Sequence, residues 1–255
     1  MNQKKTGKIE CWLSGTMGGL LLIFLFIFIA RNLTTRSEKP HECRFWGIVY
    51  SMPEPSLETI IKSHLDSLRS LGNANPDGWG IGYFLSPDSG TVLPVVSRGE
   101  PPAPKDARYR KMVKEMVKYI RGAGIAHVRR GSSGITGGIP NPHPLRRQCL
   151  NRNFDVLFAH NGTIPTTVLR NLIRRVNPFY LDLNPPDYAP DYLDSDLFCI
   201  FILEIIDTYL DSTIESCIKI AVTKLDSALI YESAQLNFVM TNGTTLWALH
   251  FASSI

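Results

Sequence analysis

Five short segments of this sequence carry side chains that could act together in catalysis. They are residues 43–47, 77–80, 126–129, 160–162 and 194–196. Cys43 supplies a thiol nucleophile, and the Arg129 guanidinium matches a carboxylate with two hydrogen bonds. The Asn161 amide and the Gly162 N–H can point together at an oxyanion, and the Asp194 carboxylate can hold an ammonium. These groups suit an enzyme that holds an amino acid by both ends and attacks a carbonyl between them.

Each of these segments, taken singly, also has an ordinary structural interpretation. Glycines at the entrance of a strand usually serve tight backbone geometry. Asn161-Gly162 is a common turn sequence, and Asp194 stands where a carboxylate often caps a helix. His127 and His143 are expected to be structural. It is therefore the combination and order of the segments that favour catalysis.

The composition is that of an ordinary globular chain. Its 255 residues are 44% hydrophobic and 20% charged, with a formal net charge of +4. No basic stripe alternates with aromatic residues, so we expect no nucleic-acid partner. The cysteines are scattered, without a C-x-x-C pair, so we expect no zinc site. We also expect no other metal and no cofactor. The cysteines are Cys11, Cys43, Cys149, Cys199 and Cys217.

The hydrophobic pattern after residue 42 predicts alternating strands and helices. Strands are predicted at residues 45–50, 79–84, 91–97, 124–128 and 156–159, and helices at 55–71, 109–121, 168–176, 197–210 and 213–225. A hairpin is predicted for residues 236–241 and 245–251, with Asn242-Gly243 as a type I′ turn. Two long loops, 130–144 and 177–192, complete the pattern, and the length of the first is typical of a functional loop.

Residues 1–42 read as a leader that precedes the folded domain. No charged residue occurs from 11 to 30, and about twenty apolar residues can span a bilayer. A poor signal-cleavage site at residues 29–32 favours an anchor over a cleaved signal. We therefore expect a membrane-associated precursor held through residues 11–30. The alternative is a cytoplasmic protein, if the leader is removed or if the start codon is assigned too far upstream.

In order and spacing, six motifs resemble the class II glutamine amidotransferase domain, which is an N-terminal-nucleophile hydrolase. The similarity is to the stand-alone group of such domains. The motifs are C-R-F-W-G (43–47), D-G-W-G (77–80), A-H-V-R (126–129), N-P-H-P (141–144), H-N-G (160–162) and L-D-S-D (193–196). The resemblance implies a domain at 43–255 with an α+β fold, a four-layer αββα sandwich. It also implies further strands beyond Ile255, so the domain is expected to be incomplete at its C-terminus or completed by a partner.

The resemblance also implies a role for each candidate residue. The Cys43 thiol would attack the side-chain amide of glutamine, with the α-amine of the same residue as general base. Asn161 and the Gly162 N–H would hold the oxyanion. Arg129 would bind the substrate α-carboxylate and Asp194 its α-ammonium. Ammonia would leave for an acceptor on a separate synthetase subunit, and water would cleave the thioester.

The sequence departs from the family pattern at two motifs. Glu42 precedes Cys43, so the α-amine is free only if the chain is cut between them. Leu193 replaces the usual Ser or Thr. The same cut would sever the apolar leader, so membrane anchoring and activity are expected to exclude each other.

Two alternatives to a glutamine amidotransferase remain open from the sequence. One is an amidohydrolase on the same scaffold that cleaves γ-glutamyl or related amides without channelling ammonia. The other is a membrane-anchored, non-catalytic domain in which Cys43 is blocked.

Overall fold

A computed structural model describes residues 12–15, 43–50, 55–85, 92–131, 142–187, 191–229 and 234–250. The strands are β1 (Trp12–Gly15), β2 (Arg44–Val49), β3 (Trp79–Leu85), β4 (Leu93–Gly99), β5 (Ile120–Val128), β6 (Leu145–Cys149), β7 (Phe154–Asn161), β8 (Asn237–Thr241) and β9 (Leu246–Leu249). The α-helices are α1 (Pro55–Leu71), α2 (Ala107–Tyr119), α3 (Thr166–Val176), α4 (Tyr180–Leu183), α5 (Asp194–Thr208) and α6 (Ile214–Ala228). A short 3₁₀ helix (Ala103–Lys105) precedes α2.

Helix α1 shows how the sequence selects its local structure. Leu57, Ile61, Leu65 and Leu68 recur every three or four residues, and all are buried. This spacing puts them on one face of a helix, which packs on β2 and β5. The predicted and observed bounds of this helix agree at both ends.

The described strands form two antiparallel sheets. The five-stranded sheet has the order β1-β9-β8-β7-β6, and the four-stranded sheet has the order β2-β5-β3-β4. Within β5, Ala123 and Ile125 face the other sheet, whereas Ala126 and Val128 face helices α1 and α2. Strand residues alternate between faces, so one strand serves two cores.

The two sheets pack face to face between two layers of helices. The layer between the sheets contains Phe45, Leu157, Ala159 and Val239. Helices α1 and α2 cover the four-stranded sheet, and α3, α5 and α6 cover the five-stranded sheet. The expected α+β fold with four αββα layers is therefore confirmed.

The β8–β9 hairpin is present, but its turn differs from the prediction. Four residues, Asn242 to Thr245, connect the strands. The Asn242 side-chain oxygen accepts the backbone N–H groups of Thr244 (3.2 Å) and Thr245 (2.9 Å). Within this connection only Gly243 has a positive φ, +95°. A type I′ turn requires positive φ at both central residues, so that prediction is wrong.

Part of the predicted leader belongs to the five-stranded sheet. Trp12–Gly15 form β1, which pairs antiparallel with β9 from Trp12↔Leu249 to Gly15↔Leu246. The rest of the predicted apolar segment, residues 16–30, lies outside the described residues. Within the described ranges, no helix combines the length and the apolar character needed to cross a bilayer.

A buried ion pair joins β6 to α5. Arg147 donates from Nε to Asp196 Oδ1 (2.8 Å) and from Nη2 to Asp196 Oδ2 (2.5 Å). The two side chains are only 9% and 3% exposed. The adjacent Arg146 pairs instead with Asp155 at the surface. Asp196, the last residue of the L-D-S-D motif, is therefore the ion-pair partner of Arg147 and has a structural role.

These neighbouring arginines allow a matched test of burial. Arg147→Ala leaves a buried carboxylate without its cation and should lower the free energy of unfolding by about 3–5 kcal/mol. Arg146→Ala removes an exposed pair and should cost about 0–1 kcal/mol. Urea unfolding of both variants measures the difference. Equal losses would show that the Arg147 pair is not a buried anchor.

Glu204 is an unusual carboxyl in the apolar helix α5. It is fully buried, and apart from the Asn177 backbone no hydrogen-bond partner reaches its side-chain oxygens within the described residues. Burial raises the pKa of Glu204 from its ordinary 4.5 to about 8. The side chain is therefore mostly neutral in the folded protein at pH 7.

This pKa shift predicts how stability depends on pH. Between pH 4.5 and about 8 the unfolded chain binds fewer protons at Glu204 than the folded chain does. The free energy of unfolding should therefore fall across this window, by up to about 1.4 kcal/mol per pH unit. Glu204→Gln should remove that slope, while Glu58→Gln on the surface should leave it unchanged. Urea unfolding at several pH values tests this, and a slope that persists in Glu204→Gln would contradict it.

Candidate active site

Cys43 lies at the start of β2, beside the end of β5. The β2–β5 register pairs Arg44 with Val128, and its extension sets Cys43 beside Arg129. The Cys43 thiol donates to the Arg130 carbonyl (3.3 Å) and accepts the Arg130 N–H (3.3 Å). The sulfur therefore contacts both the N–H and the carbonyl of Arg130, which belong to the two peptide units on either side of that residue.

The surroundings of Cys43 keep its thiol protonated. Burial raises the pKa of the Cys43 thiol, and this outweighs the backbone hydrogen bond from Arg130 and the charges of Arg129 and Arg44. A thiolate is the reactive form. Any attack by this sulfur therefore needs a base that removes its proton.

Asn161 joins the two sheets at this same edge. It is the last residue of β7, in the five-stranded sheet, and its amide donates to the Cys43 carbonyl (3.0 Å). Asn161 and Cys43 are 118 residues apart in the chain. An amide NH₂ carries two protons, so one remains for a second acceptor near Cys43.

Gly162 and His160 are fixed by one carbonyl. A Cβ on Gly162 would lie 1.8 Å from the Gln235 oxygen, so only glycine fits there. His160 Nε2 donates to the same oxygen (2.9 Å), because a carbonyl can only accept. In the neutral ring Nδ1 then accepts from the Ser195 hydroxyl (2.9 Å). The H-N-G turn is therefore held through Ser195 of the L-D-S-D motif.

Asp194 holds the same turn from the other side. It is the first residue of α5, and its Oδ2 accepts the Ile164 N–H (3.0 Å), two residues beyond Gly162. Its Oδ1 accepts the Ser195 N–H (2.8 Å). The N-cap of α5 is Leu193, without a side-chain cap, so Asp194 is not the helix cap considered from the sequence. Its Oδ2 instead holds the turn that follows the predicted oxyanion donors.

The comparison with known families fits this geometry. A model of the family described as "Glutamine amidotransferases class-II" matches residues 56–254. The chain belongs to the class II glutamine amidotransferases. No curated protein matched the chain in a separate search.

The matched range of this class II amidotransferase covers four of the five candidate residues. Arg129, Asn161, Gly162 and Asp194 lie within residues 56–254, whereas Cys43 precedes them. The assignment of Cys43 therefore rests on the C-R-F-W-G motif at residues 43–47 and on its contacts with Asn161 and Arg130.

Asp77 holds the segment next to Cys43, a role that the D-G-W-G motif alone did not predict. Its Oδ2 accepts the Gly131 N–H (2.7 Å), and its backbone N–H donates to the Arg129 carbonyl (3.1 Å). Arg129 N–H in turn donates to the Gly78 carbonyl (2.8 Å). The D-G-W-G turn thus holds residues 129 and 131, on either side of the Arg130 backbone that contacts the thiol. The sequence feature that could have indicated this role is the aspartate at the start of the D-G-W-G motif.

The structure brings the predicted residues together in two groups. Cys43, Arg129 and Asn161 lie where β2 begins and where β5 and β7 end. Gly162 and Asp194 are linked through the turn at Ile164. No cluster of three or more potential metal-ligating side chains occurs within the described ranges.

Proposed function

We propose that this class II amidotransferase hydrolyses the side-chain amide of glutamine through a thioester on Cys43. The observation that carries the proposal is the pair of contacts at Cys43. Its carbonyl accepts from Asn161 across the two sheets, and its thiol is bracketed by Arg130 next to Arg129. These contacts support the proposal because they bring the proposed nucleophile, oxyanion donor and carboxylate-binding residue to the same end of the sheets.

The proposed general base is the α-amine of Cys43 itself. A free α-amine has a pKa of about 7.7–8.0, which suits proton transfer near neutral pH. It takes the thiol proton as sulfur attacks the amide carbon, and it returns a proton to the departing ammonia. The remaining Asn161 N–H and the Gly162 N–H stabilise the oxyanion. Water then cleaves the thioester and releases glutamate.

Substrate selection is proposed to lie with two opposite charges. Arg129 binds the α-carboxylate through its two-pronged guanidinium, and Asp194 binds the α-ammonium. The ammonia acceptor would belong to a separate synthetase subunit. Cleavage after Glu42 would free the Cys43 α-amine and so start the reaction. If the leader anchors the precursor to a membrane, the same cleavage would cut the covalent link to that anchor.

A labelling experiment tests the nucleophile. A glutamine-analogue electrophile should modify the processed protein once, at Cys43, and Cys43→Ala should abolish the modification. Cys217→Ala is the matched control, because Cys217 is a buried residue of α6, in the helical layer on the five-stranded sheet. Peptide mass mapping locates the adduct. Labelling that persists in Cys43→Ala would refute the assignment.

The same preparation separates the alternatives. Faster turnover of glutamine than of γ-glutamyl dipeptides supports the glutaminase, and the reverse order supports the amidohydrolase. A native protein whose Cys43 amine is blocked, and which turns over neither substrate, would be the non-catalytic domain.

A further inference from the structure

Two buried histidines lie next to the candidate site without using their ring nitrogens. His127, on β5, is fully buried, and His143, just before β6, is 6% exposed. Their rings meet edge to face, with centroids 4.8 Å apart. Within the described residues, none of the four ring nitrogens has a hydrogen-bond partner. A buried polar atom left unsatisfied costs about 1–3 kcal/mol, so the pair calls for a polar occupant.

His127 lies on the same face of the β2–β5 pair as Cys43. It follows Ala123 and Ile125 by steps of two residues, so it faces the layer between the sheets. The strand register pairs it with Phe45, two residues after Cys43. Diagonal neighbours of this kind are about 7–8 Å apart, which one small molecule can bridge.

His143 is held against His127 by room that glycines leave on β3. A Cβ on Gly80, the β3 partner of His127, would lie 2.0 Å from the His143 carbonyl oxygen. A Cβ on Gly82 would lie 2.7 Å from Pro144 Cγ. The 143–144 segment therefore fits between the sheets only because β3 presents glycine at these positions.

Both imidazoles are neutral at physiological pH. Burial, aided by the Arg129 charge, lowers the pKa of His127 to about 3. Burial and the neighbouring His127 hold the pKa of His143 well below its usual value. Each neutral ring offers one donor and one acceptor. Water matches that combination, and buried waters characteristically satisfy such groups with about three hydrogen bonds.

We propose that His127 and His143 bind the water molecule that hydrolyses the Cys43 thioester. This inference rests on the proposed function. A γ-glutamyl group clamped by Arg129 and Asp194 would fill the open side of the site, so water held between the sheets reaches the acyl carbon from behind.

The step balances without a further reactant. The water oxygen bonds to the thioester carbon while its proton passes to the Cys43 α-amine. The oxyanion collapses, the carbon–sulfur bond breaks, and the amine returns the proton to the thiolate. The histidines position the water and need not change protonation state.

The test separates acylation from deacylation in the processed chain. Ammonia release reports acylation, glutamate release reports deacylation, and intact mass reports the thioester. His143→Phe fills the space and removes both nitrogens. It should lower kcat and KM together by about tenfold to a hundredfold, leave kcat/KM near wild type, and let the thioester accumulate. His143→Gln keeps a donor and an acceptor and should restore most of kcat.

His64→Phe is the matched control, because His64 is on α1, on the other face of the four-stranded sheet. It should leave both steps unchanged. His127→Phe gives a second variant should His143→Phe fail to fold, with the same expected split. An equal fall in kcat and kcat/KM, or no fall in either, would overturn the water site. Absence of acylation in the wild-type chain would overturn the proposed function, and the water site with it.

Discussion

Cutting the chain between Glu42 and Cys43 should raise glutamine turnover by about 10²–10⁴-fold, the range expected of one well-placed general base. In the uncut chain the nitrogen of Cys43 is an amide, which is not basic. The thiol is then left with a pKa raised by burial and with no base to remove its proton. The rate of the cut form should rise with pH as the α-amine loses its proton, around its usual pKa of about 7.7–8.0.

The experiment uses the full chain with a sequence-specific protease site placed directly before Cys43. One preparation is assayed before and after cleavage, so expression and folding are the same in both samples. A matched chain is cut one residue earlier, which leaves Glu42 on Cys43 and blocks the amine while preserving the thiol. Normal turnover by the uncut chain, or by the chain that keeps Glu42, would refute the N-terminal-amine mechanism.

Arg129→Ala should lower kcat/KM for glutamine. The expected loss of transition-state stabilisation is about 3–5 kcal/mol, as when one member of a desolvated charge pair is removed. Its backbone contacts with Asp77 and Gly78 do not involve the side chain and should survive. Arg129→Lys should recover little, because an ammonium cannot form the paired hydrogen bonds of a guanidinium.

The control for Arg129 is Arg121→Ala, an exposed arginine at the other end of β5. It should leave kcat/KM unchanged. A simple amide without an α-carboxylate should be turned over equally by wild type and Arg129→Ala, since the lost contact is absent from both reactions. Glutamine turnover near wild type in Arg129→Ala would show that another group binds the carboxylate.

Local patterns predicted most of the helices and strands. The 3.6-residue spacing located α1, and the strand after D-G-W-G was found as β3. Strand β6 was not predicted: no element was assigned to residues 145–149, where the polar run Arg146, Arg147 and Gln148 does not indicate a strand. Arg147 is buried because it forms an ion pair with Asp196 on α5. The sequence around Arg147 does not reveal that distant partner.

The site was predicted as a set of residues, but the way they are held was not. The order of the motifs predicted that Cys43 and Asn161 share one site. In the structure the Asn161 side-chain amide donates to the Cys43 carbonyl. The thiol is held by the N–H and the carbonyl of the Arg130 backbone, which every residue type except proline could supply. Asp77 acts across 54 residues of chain on Gly131, which requires the strand topology to be known. Contacts of this kind follow from the sheets and not from side-chain type.

Strand β1 changes what cleavage after Glu42 would do to the leader. Its four residue pairs with β9 are non-covalent, so a cut chain would keep the leader as a bound peptide. Its release would then follow mass action: dilution would favour the free domain, and high concentration the complex. Departure of β1 would expose β9 as a bare sheet edge, the kind of edge that recruits another strand. Activity would therefore depend on whether the Glu42–Cys43 peptide bond is cut, whereas attachment to the leader would depend on the affinity of β1 for β9.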